Sequence, residues 1–305
     1  MNMAKISVVI NTLNEEKKLP RTLASVRDFS KDIVVVDMMS TDKTRELAKS
    51  FGARVFKHKK INYVEPARNF AIEKAKNEWV LILDPDEEVK PELKNFFKKE
   101  IKTPKGDYYR IPRKNIIFGK WMKYSGWWPD FNIRFFRKGN VSWGNKIHSI
   151  PITTGVGIDL PIDGKFAIKH MHYSSLEEYI TRMNRYTTVQ VRDLVKSGKE
   201  FSWIDLIVKP TAEFLRRYFA EKGYKDGLHG LALSLLQSAS ELVLYLKLWQ
   251  KQGFYKKKMS VEEVSGIFKN CYKDFVWWIF ESKLKEEKNI FRKLWLKIKR
   301  KYLPL

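Results

Sequence analysis

Trp79-Val80-Leu81-Ile82-Leu83-Asp84-Pro85-Asp86-Glu87-Glu88 decides the fold. The five apolar residues read as a buried strand. The run stops at two carboxylates separated by one residue. In an open α/β sheet, ligands gather at the carboxyl ends of the strands. Carboxylates there can hold a hard divalent cation, and that cation can clamp a diphosphate. The competing reading is a plain turn, with Asp86 capping a helix that opens near Pro91.

Working outward, the first third alternates strands and helices. Strands are expected at Ile6–Ile10, Ile33–Val36, Ala53–Phe56 and Trp79–Leu83, with helices at Glu15–Asp28, Thr41–Phe51 and Glu65–Lys76. Gly52 is placed as a helix stop. This spacing implies a parallel sheet with right-handed crossovers. No GxGxxG or Walker A sequence is present. A nucleotide-binding sheet of this kind must therefore hold phosphates another way, and a metal on Asp84 and Asp86 would serve.

From about Gly106 to Tyr173 the chain turns rich in aromatics, Pro and Gly, with strand-like runs at Asn132–Arg137 and Lys165–His170. Trp121, Trp127, Trp128 and Trp143 are candidate sugar-stacking faces or core. From Ser174 onward the pattern is helical, opening on a capping box of Ser174 or Ser175 with Glu177 or Glu178. Leu228–Trp249 is about long enough to span a bilayer, but His229, Gln237, Ser238, Ser240 and Glu241 argue against that. Ile290–Tyr302 sets Phe291, Leu294, Trp295, Ile298 and Tyr302 on one face and fills the rest with Lys and Arg. That is the pattern of a membrane-surface anchor, with a helix packed on its own domain as the alternative. The expected division is 1–173 (nucleotide half 1–105, acceptor half 106–173) and a helical region, 174–305.

The 305 residues carry 59 Lys and Arg against 35 Asp and Glu, a formal net charge of +24. That excess asks for an anionic partner: nucleic acid, acidic lipid or sugar nucleotide. The basic residues are spread along the chain and concentrate in the tail, and no nucleic-acid-binding motif is visible, so nucleic acid is disfavoured. A single cysteine, Cys271, excludes an intrachain disulfide and a cysteine zinc site. Met1–Lys5 runs straight into a strand without a signal-peptide pattern, so a cytoplasmic location on the inner face of the cell membrane is expected.

Four segments at strand ends then resemble the inverting family 2 glycosyltransferases of the GT-A fold. Asn11-Thr12-Leu13-Asn14-Glu15-Glu16 looks like their Thr/Pro-x-x-Asn-Glu turn, which cups the nucleobase and ribose. The resemblance thus gives Thr12, Asn14 and Glu15 to the nucleotide. Asp37 matches the acid that bonds the base, and Ala67-Arg68-Asn69 opens a helix between them. Asp84 and Asp86 match the Asp-x-Asp motif, whose second acid usually ligates Mg2+ or Mn2+. Arg68, Arg134 and Arg137 are candidates for contacting diphosphate or an anionic acceptor, with structural ion pairs as the alternative. His170 and His172 flank Met171 and are candidates to approach the metal, His172 being the one assigned. Gly126-Trp127-Trp128-Pro129-Asp130, Arg134-Phe135-Phe136-Arg137 and His172-Tyr173-Ser174 narrow the resemblance to the lipopolysaccharide-core β-glucosyltransferase group, over most of residues 4 to 250.

One departure matters. Where that group carries Val-His-Glu, with Glu as general base, this chain has Ile147-His148-Ser149. An attacking sugar hydroxyl needs a base. Asp130 is the substitute, with His148 second. A lipid-phosphate acceptor is already ionised and needs none, which keeps a polyprenyl-phosphate sugar synthase as the alternative. A GT-A scaffold that has lost catalysis is the reading from a different class. The resemblance implies a nucleotide-sugar donor, a lipid-linked or glycan acceptor and an anionic membrane surface under the basic tail.

Overall fold

A computed structural model of the chain describes residues 4–59, 65–144 and 151–302. They form two compact units. One joins residues up to Ile117 with Trp128–His172, and the other joins Phe118–Trp127 with the chain from Tyr173 on.

The first unit is built on one sheet. Its first half is β1 (Ala4–Thr12), α1 (Leu19–Val26), β2 (Ser30–Asp37), α2 (Thr44–Ser50), β3 (Arg54–Lys57), α3 (Glu65–Glu73) and β4 (Trp79–Leu83). Then come β5 (Glu87–Glu88), α4 (Pro91–Glu100) and β6 (Tyr108–Ile117). After a two-residue strand in the other unit, β7 (Lys120–Trp121), follow β8 (Asp130–Arg137), β9 (Val141–Ser142), β10 (Ile152–Thr153), β11 (Gly157–Asp159) and β12 (Ile168–Tyr173). The strand order is β3-β2-β1-β4-β8-β6-β12-β5, with β11 beside β6. β3, β2, β1 and β4 are mutually parallel, and β8 runs antiparallel to β4 and to β6. This is the expected GT-A type of α/β sheet, although the parallel order stops at β4.

The parallel strands are apolar on both faces because helices cover both. Alternation decides which face each side chain serves. Val8, Ile10, Leu81 and Leu83 pack with Leu19, Leu23, Leu93 and Phe97 from α1 and α4. Val9, Val34, Val36, Val80 and Ile82 pack with Ala71 and Ile72 of α3. Truncating one of these, such as Leu81→Ala, would cost about 2–5 kcal/mol. α1 and α2 start later than the sequence pattern suggests, while α3 opens at Glu65 as expected. α1 opens at Leu19, with Pro20 in its first turn, after Lys18 and Leu19 donate their amides to the Glu15 carbonyl. α2 opens at Thr44 because Thr41–Lys43 bond to the preceding loop instead. Gly52 ends it at φ +80°.

The second unit is helical: α5 (Leu176–Lys196), α6 (Asp205–Leu215), α7 (Leu228–Lys251), α8 (Val261–Glu286) and α9 (Ile290–Tyr302). Ser175 caps α5 by accepting from the Glu178 amide, and Ser260 with Glu263 forms a capping box on α8. By length and composition α7 could cross a membrane. Its polar groups nevertheless bond within the unit: Gln237 donates to Tyr179 Oη, Ser238 to the Pro210 carbonyl, and Lys247 to Asn184 and Thr187.

Residues 118–127, expected in the acceptor half, belong with the helices instead. The buried Asp226 carboxylate accepts from the amides of Lys123 (3.1 Å) and Tyr124 (2.8 Å), and Arg217 donates to the Ser125 carbonyl (2.7 Å). Gly223 and Gly230 approach so closely that a Cβ on Gly230 would sit 1.8 Å from the Gly223 carbonyl oxygen. No side chain fits between them.

Candidate active site

The parallel register sets the site. Thr12 lies opposite Asp37, and Ile10 opposite Leu83, so β1, β2 and β4 all deliver their carboxyl ends to one edge. At this edge Asn11, Thr12 and Asp37 are buried, yet Asn11 Oδ1, Thr12 Oγ1 and Asp37 Oδ1 have no hydrogen-bond partner among the described residues. Buried acceptors without partners are unfavourable, and a bound donor group would satisfy them. The other Asp37 oxygen accepts from the Ser40 amide (3.0 Å) and lies 3.8 Å from Arg45.

Asn14 and its neighbours shape the loop at this edge. The Asn14 backbone is left-handed (φ +55°), and its side-chain oxygen accepts from the Thr41 amide (2.8 Å). The Asn14 amide donates to Ser40 Oγ, the Glu15 amide to Thr44 Oγ1, and the Glu16 amide to Asp42, while Glu16 accepts from the Lys43 amide. The loops after β1 and β2 are thus zipped together. Asn14 shapes the turn with its side chain, and Glu15 does so through its backbone.

The Asp84-Pro85-Asp86 turn is held from beneath by α1. Thr22 Oγ1 donates to the Pro85 carbonyl (2.8 Å), and the Val89 amide donates to Ser25 Oγ (3.2 Å). The capping alternative for Asp86 does not apply, since Lys90 occupies the cap of α4 and no side chain bonds there. The two acids have separate environments. Asp84 bonds Arg68 through one oxygen (2.8 Å) and Arg134 through the other, with Arg113 at 4.0 Å. Burial pushes its carboxyl up, but the charges of Arg134, Arg68 and Arg113 outweigh that and hold it well below the usual carboxylate range. Both oxygens of Asp84 are thus engaged by arginines. Asp86 stands apart, its Oδ1 3.4 Å from His170 Nε2 and its Oδ2 3.9 Å from Lys18.

Strand pairing brings the histidines in. β12 runs antiparallel to β5, with His170 opposite Glu87, and the Met171 amide donates to the Asp86 carbonyl (2.9 Å). His172 Nδ1 lies 3.3 Å from His170 Nε2. His170 thus sets an imidazole against Asp86. A carboxylate and an imidazole suit Mn2+ or Mg2+. No group of three or more His, Cys, Asp or Glu converges among the described residues.

The candidate arginines and the candidate base are each engaged within the protein. Arg134 is 1% exposed and bonds Asp84 and Glu87, so it underpins the turn. Arg137 pairs across from Trp79 and bonds Glu78 (3.2 Å), placing it at the amino end of β4, the far edge from Asp84. Arg68 reaches Asp84, and its guanidinium stacks over Trp143. Asp130 is clasped by Arg113 (2.7 Å), Asn115 and Asn132. Burial raises its pKa, but Arg113 and these hydrogen bonds bring it below the ordinary value, which makes it a weak proton acceptor. His148 and Ser149 lie outside the described residues.

Sequence reasoning missed Lys18, Glu87, Arg113 and Asn115. For the last two a signal existed. Ile111, Arg113, Asn115 and Ile117 share one face of β6 by alternation, and both isoleucines are fully buried. A polar pair on an apolar stripe marks a site.

The family profile described as Glycosyl transferase family 2 matches residues 7–158. An uncharacterized glycosyltransferase of Rickettsia typhi is 31% identical over 255 residues, covering 81% of this chain and 87% of that one. The lipopolysaccharide core biosynthesis glycosyltransferase LpsC of Rhizobium meliloti is 25% identical over 271 residues, covering 85% and 96%. Among solved structures, the mannosyltransferase PcManGT from Pyrobaculum calidifontis, in complex with GDP-Man and Mn2+, aligns over 99% of this chain and 88% of its own at 13% identity and a TM-score of 0.46. The profile spans the strands that carry Thr12, Asp37, Asp84 and Asp86, and the Rickettsia relative aligns over most of both chains: this protein is a glycosyltransferase and belongs to glycosyltransferase family 2.

Proposed function

We propose that this enzyme is a metal-dependent, inverting glycosyltransferase that moves a sugar from a UDP- or GDP-sugar to a lipid-linked or cell-surface glycan. One observation carries the reading. Three buried oxygens without partners among the described residues, on Asn11, Thr12 and Asp37, share a sheet edge with an aspartate, Asp86, that faces an imidazole. Asp37 and Thr12 receive the nucleobase and ribose. Asp86 and a histidine of β12 hold Mg2+ or Mn2+. When bound, that cation offsets the negative charge that builds on the leaving nucleoside diphosphate. Asp84, fixed by Arg68 and Arg134, sets the path of the turn so that Asp86 faces the phosphates. The similarity to LpsC supports a lipopolysaccharide-type acceptor.

The character of Asp130 favours a second reading within the same family. A carboxylate this strongly stabilised by Arg113 is a poor base for a sugar hydroxyl. A polyprenyl-phosphate acceptor would not need one.

The proposal extends to a site of action on the inner face of the cell membrane. On α9, Phe291 (80%), Leu294, Trp295 and Ile298 are exposed. On α8, Val261, Phe268 and Tyr272 are exposed and line a 660 Å3 apolar groove with Met259 and Lys269. Lys256, Lys257 and Lys258 precede it. A second copy would bring equal positive charge to this face, whereas an anionic bilayer is complementary to it.

A thermal-shift panel of UDP, GDP, CDP and their sugars, with and without Mn2+, tests the core of the proposal. A Mn2+-dependent rise in apparent stability with one nucleotide is expected. No rise with any of them would refute it.

A further inference from the structure

A chain of polar contacts crosses the sheet from Asp130 to Asp86. Asn115, 1% exposed in β6, donates its amide nitrogen to Asp130 Oδ2 (3.1 Å), and its Oδ1 stands 2.6 Å from His170 Nδ1. His170, 3% exposed, turns Nε2 toward Asp86 Oδ1 (3.4 Å) and His172 Nδ1 (3.3 Å).

The direction of every hydrogen bond in this chain follows from its first member. Asp130 is ionised against Arg113, so it only accepts. The Asn115 NH2 must therefore face Asp130, which turns the carbonyl oxygen to His170. That oxygen also only accepts, so His170 Nδ1 carries the proton. In a neutral imidazole the other nitrogen is then a lone pair. His172 Nδ1–H can donate to it, and it borders the same space as the Asp86 carboxylate.

We propose that Asn115 is a positioning residue that fixes His170 in the Nδ1–H tautomer and so presents its Nε2 lone pair beside Asp86, where it would join Asp86 on the cation. The inference rests on the reading of Asp86 as the cation-holding acid. It gives Asn115 the role of an outer partner that orients a ligating histidine. It also ties the acceptor side of the site, at Asp130, to the metal side through one amide.

The test is nitrogen NMR on the full chain with 15N-labelled histidine at neutral pH, where long-range N–H correlations separate protonated from bare ring nitrogens. The chain has five histidines, and His170→Gln identifies the relevant signals. In the protein alone, His170 should show a protonated Nδ1 and a bare Nε2. Adding Mg2+ with UDP should move the His170 Nε2 resonance more than either nitrogen of His172. Asn115→Leu should mix the tautomers and weaken Mn2+ binding in the UDP complex by about 10- to 100-fold. A protonated Nε2 in the free protein would overturn the inference. So would a cation response at His172 with none at His170. If UDP and Mg2+ do not bind at all, the proposed function fails, while the tautomer in the free protein still decides this point.

Discussion

The guanidinium of Arg134 bonds both Asp84 and Glu87, and it lies buried beneath the turn that carries Asp86. Glu87, with no exposure, also accepts from the Asp84 amide (2.9 Å), so the turn closes on itself around one cation. Removing that cation leaves the fully buried Glu87 with only the longer Arg113 ion pair, at 3.6 Å, among the described residues, and strips Asp84 of one of its two arginine bonds. Arg134→Met should destabilise the protein by about 3–5 kcal/mol in urea unfolding. A variant as stable as the parent would mean the cluster is dispensable for folding.

Asp86 and Asp84 should separate cleanly in binding. Asp86→Ala should lose the Mn2+-dependent part of UDP or GDP affinity in calorimetry and keep the metal-independent part. The fold should survive, because the ion pairs of its carboxylate with Lys18 at 3.9 Å and His170 at 3.4 Å are long. Undiminished Mn2+ dependence would remove Asp86 from the metal.

Asp37 should act on the base and not on the metal. Asp37→Ala should weaken nucleoside diphosphate binding by about 1.5–3 kcal/mol, the range for a hydrogen bond to a charged group. The loss should be the same with and without Mn2+. A loss seen only with Mn2+ would place the residue's effect at the phosphates.

Asp130 gives a prediction on pH. Its folded-state pKa is depressed, the Arg113 pair and the Asn115 and Asn132 bonds outweighing burial. Its contribution to stability is therefore complete above the unfolded carboxylate value, about 3.9, and is lost as pH falls below it. Asp130→Asn should be less stable than the parent at neutral pH, and the gap should narrow on acidification. A gap that stays constant from neutral pH to about pH 3 would contradict the ion pair.

The basic face of α9 should govern adhesion to lipid. Lys293→Glu with Lys297→Glu should weaken binding to phosphatidylglycerol vesicles by tenfold or more, at roughly 1 kcal/mol per basic residue. Added salt should have a similar effect. Equal binding by parent and variant would refute the membrane-facing role.

What the sequence disclosed tracks how local each cause is. Trp79–Leu83 is a strand over the residues expected, because a doubly covered parallel strand is uninterrupted apolar sequence. Ile290–Tyr302 likewise keeps its expected bounds, since the 3.6-residue period lies within the segment. Helix starts were harder to read. Whether Thr41 joins α2 depends on a bond to Asn14, 27 positions away. The burial of Arg134, the pairing of His170 with Glu87 and the transfer of residues 118–127 to the helical unit all arise from contacts 47 to 103 residues apart. Periodicity carries no record of such contacts. The acids at the strand ends were legible as a set, but which of them is engaged by arginines depends on contacts that only the folded sheet makes.

The abutment of Gly223 against Gly230 sets a limit on how this chain can drift. Even alanine at position 230 would have to push backbone away from backbone, and there is no flexible side chain to yield. Selection can therefore vary the outer face of α7 widely while these two positions admit a single residue type. Any recombined or redesigned descendant must inherit the pair together, with Asp226 between them.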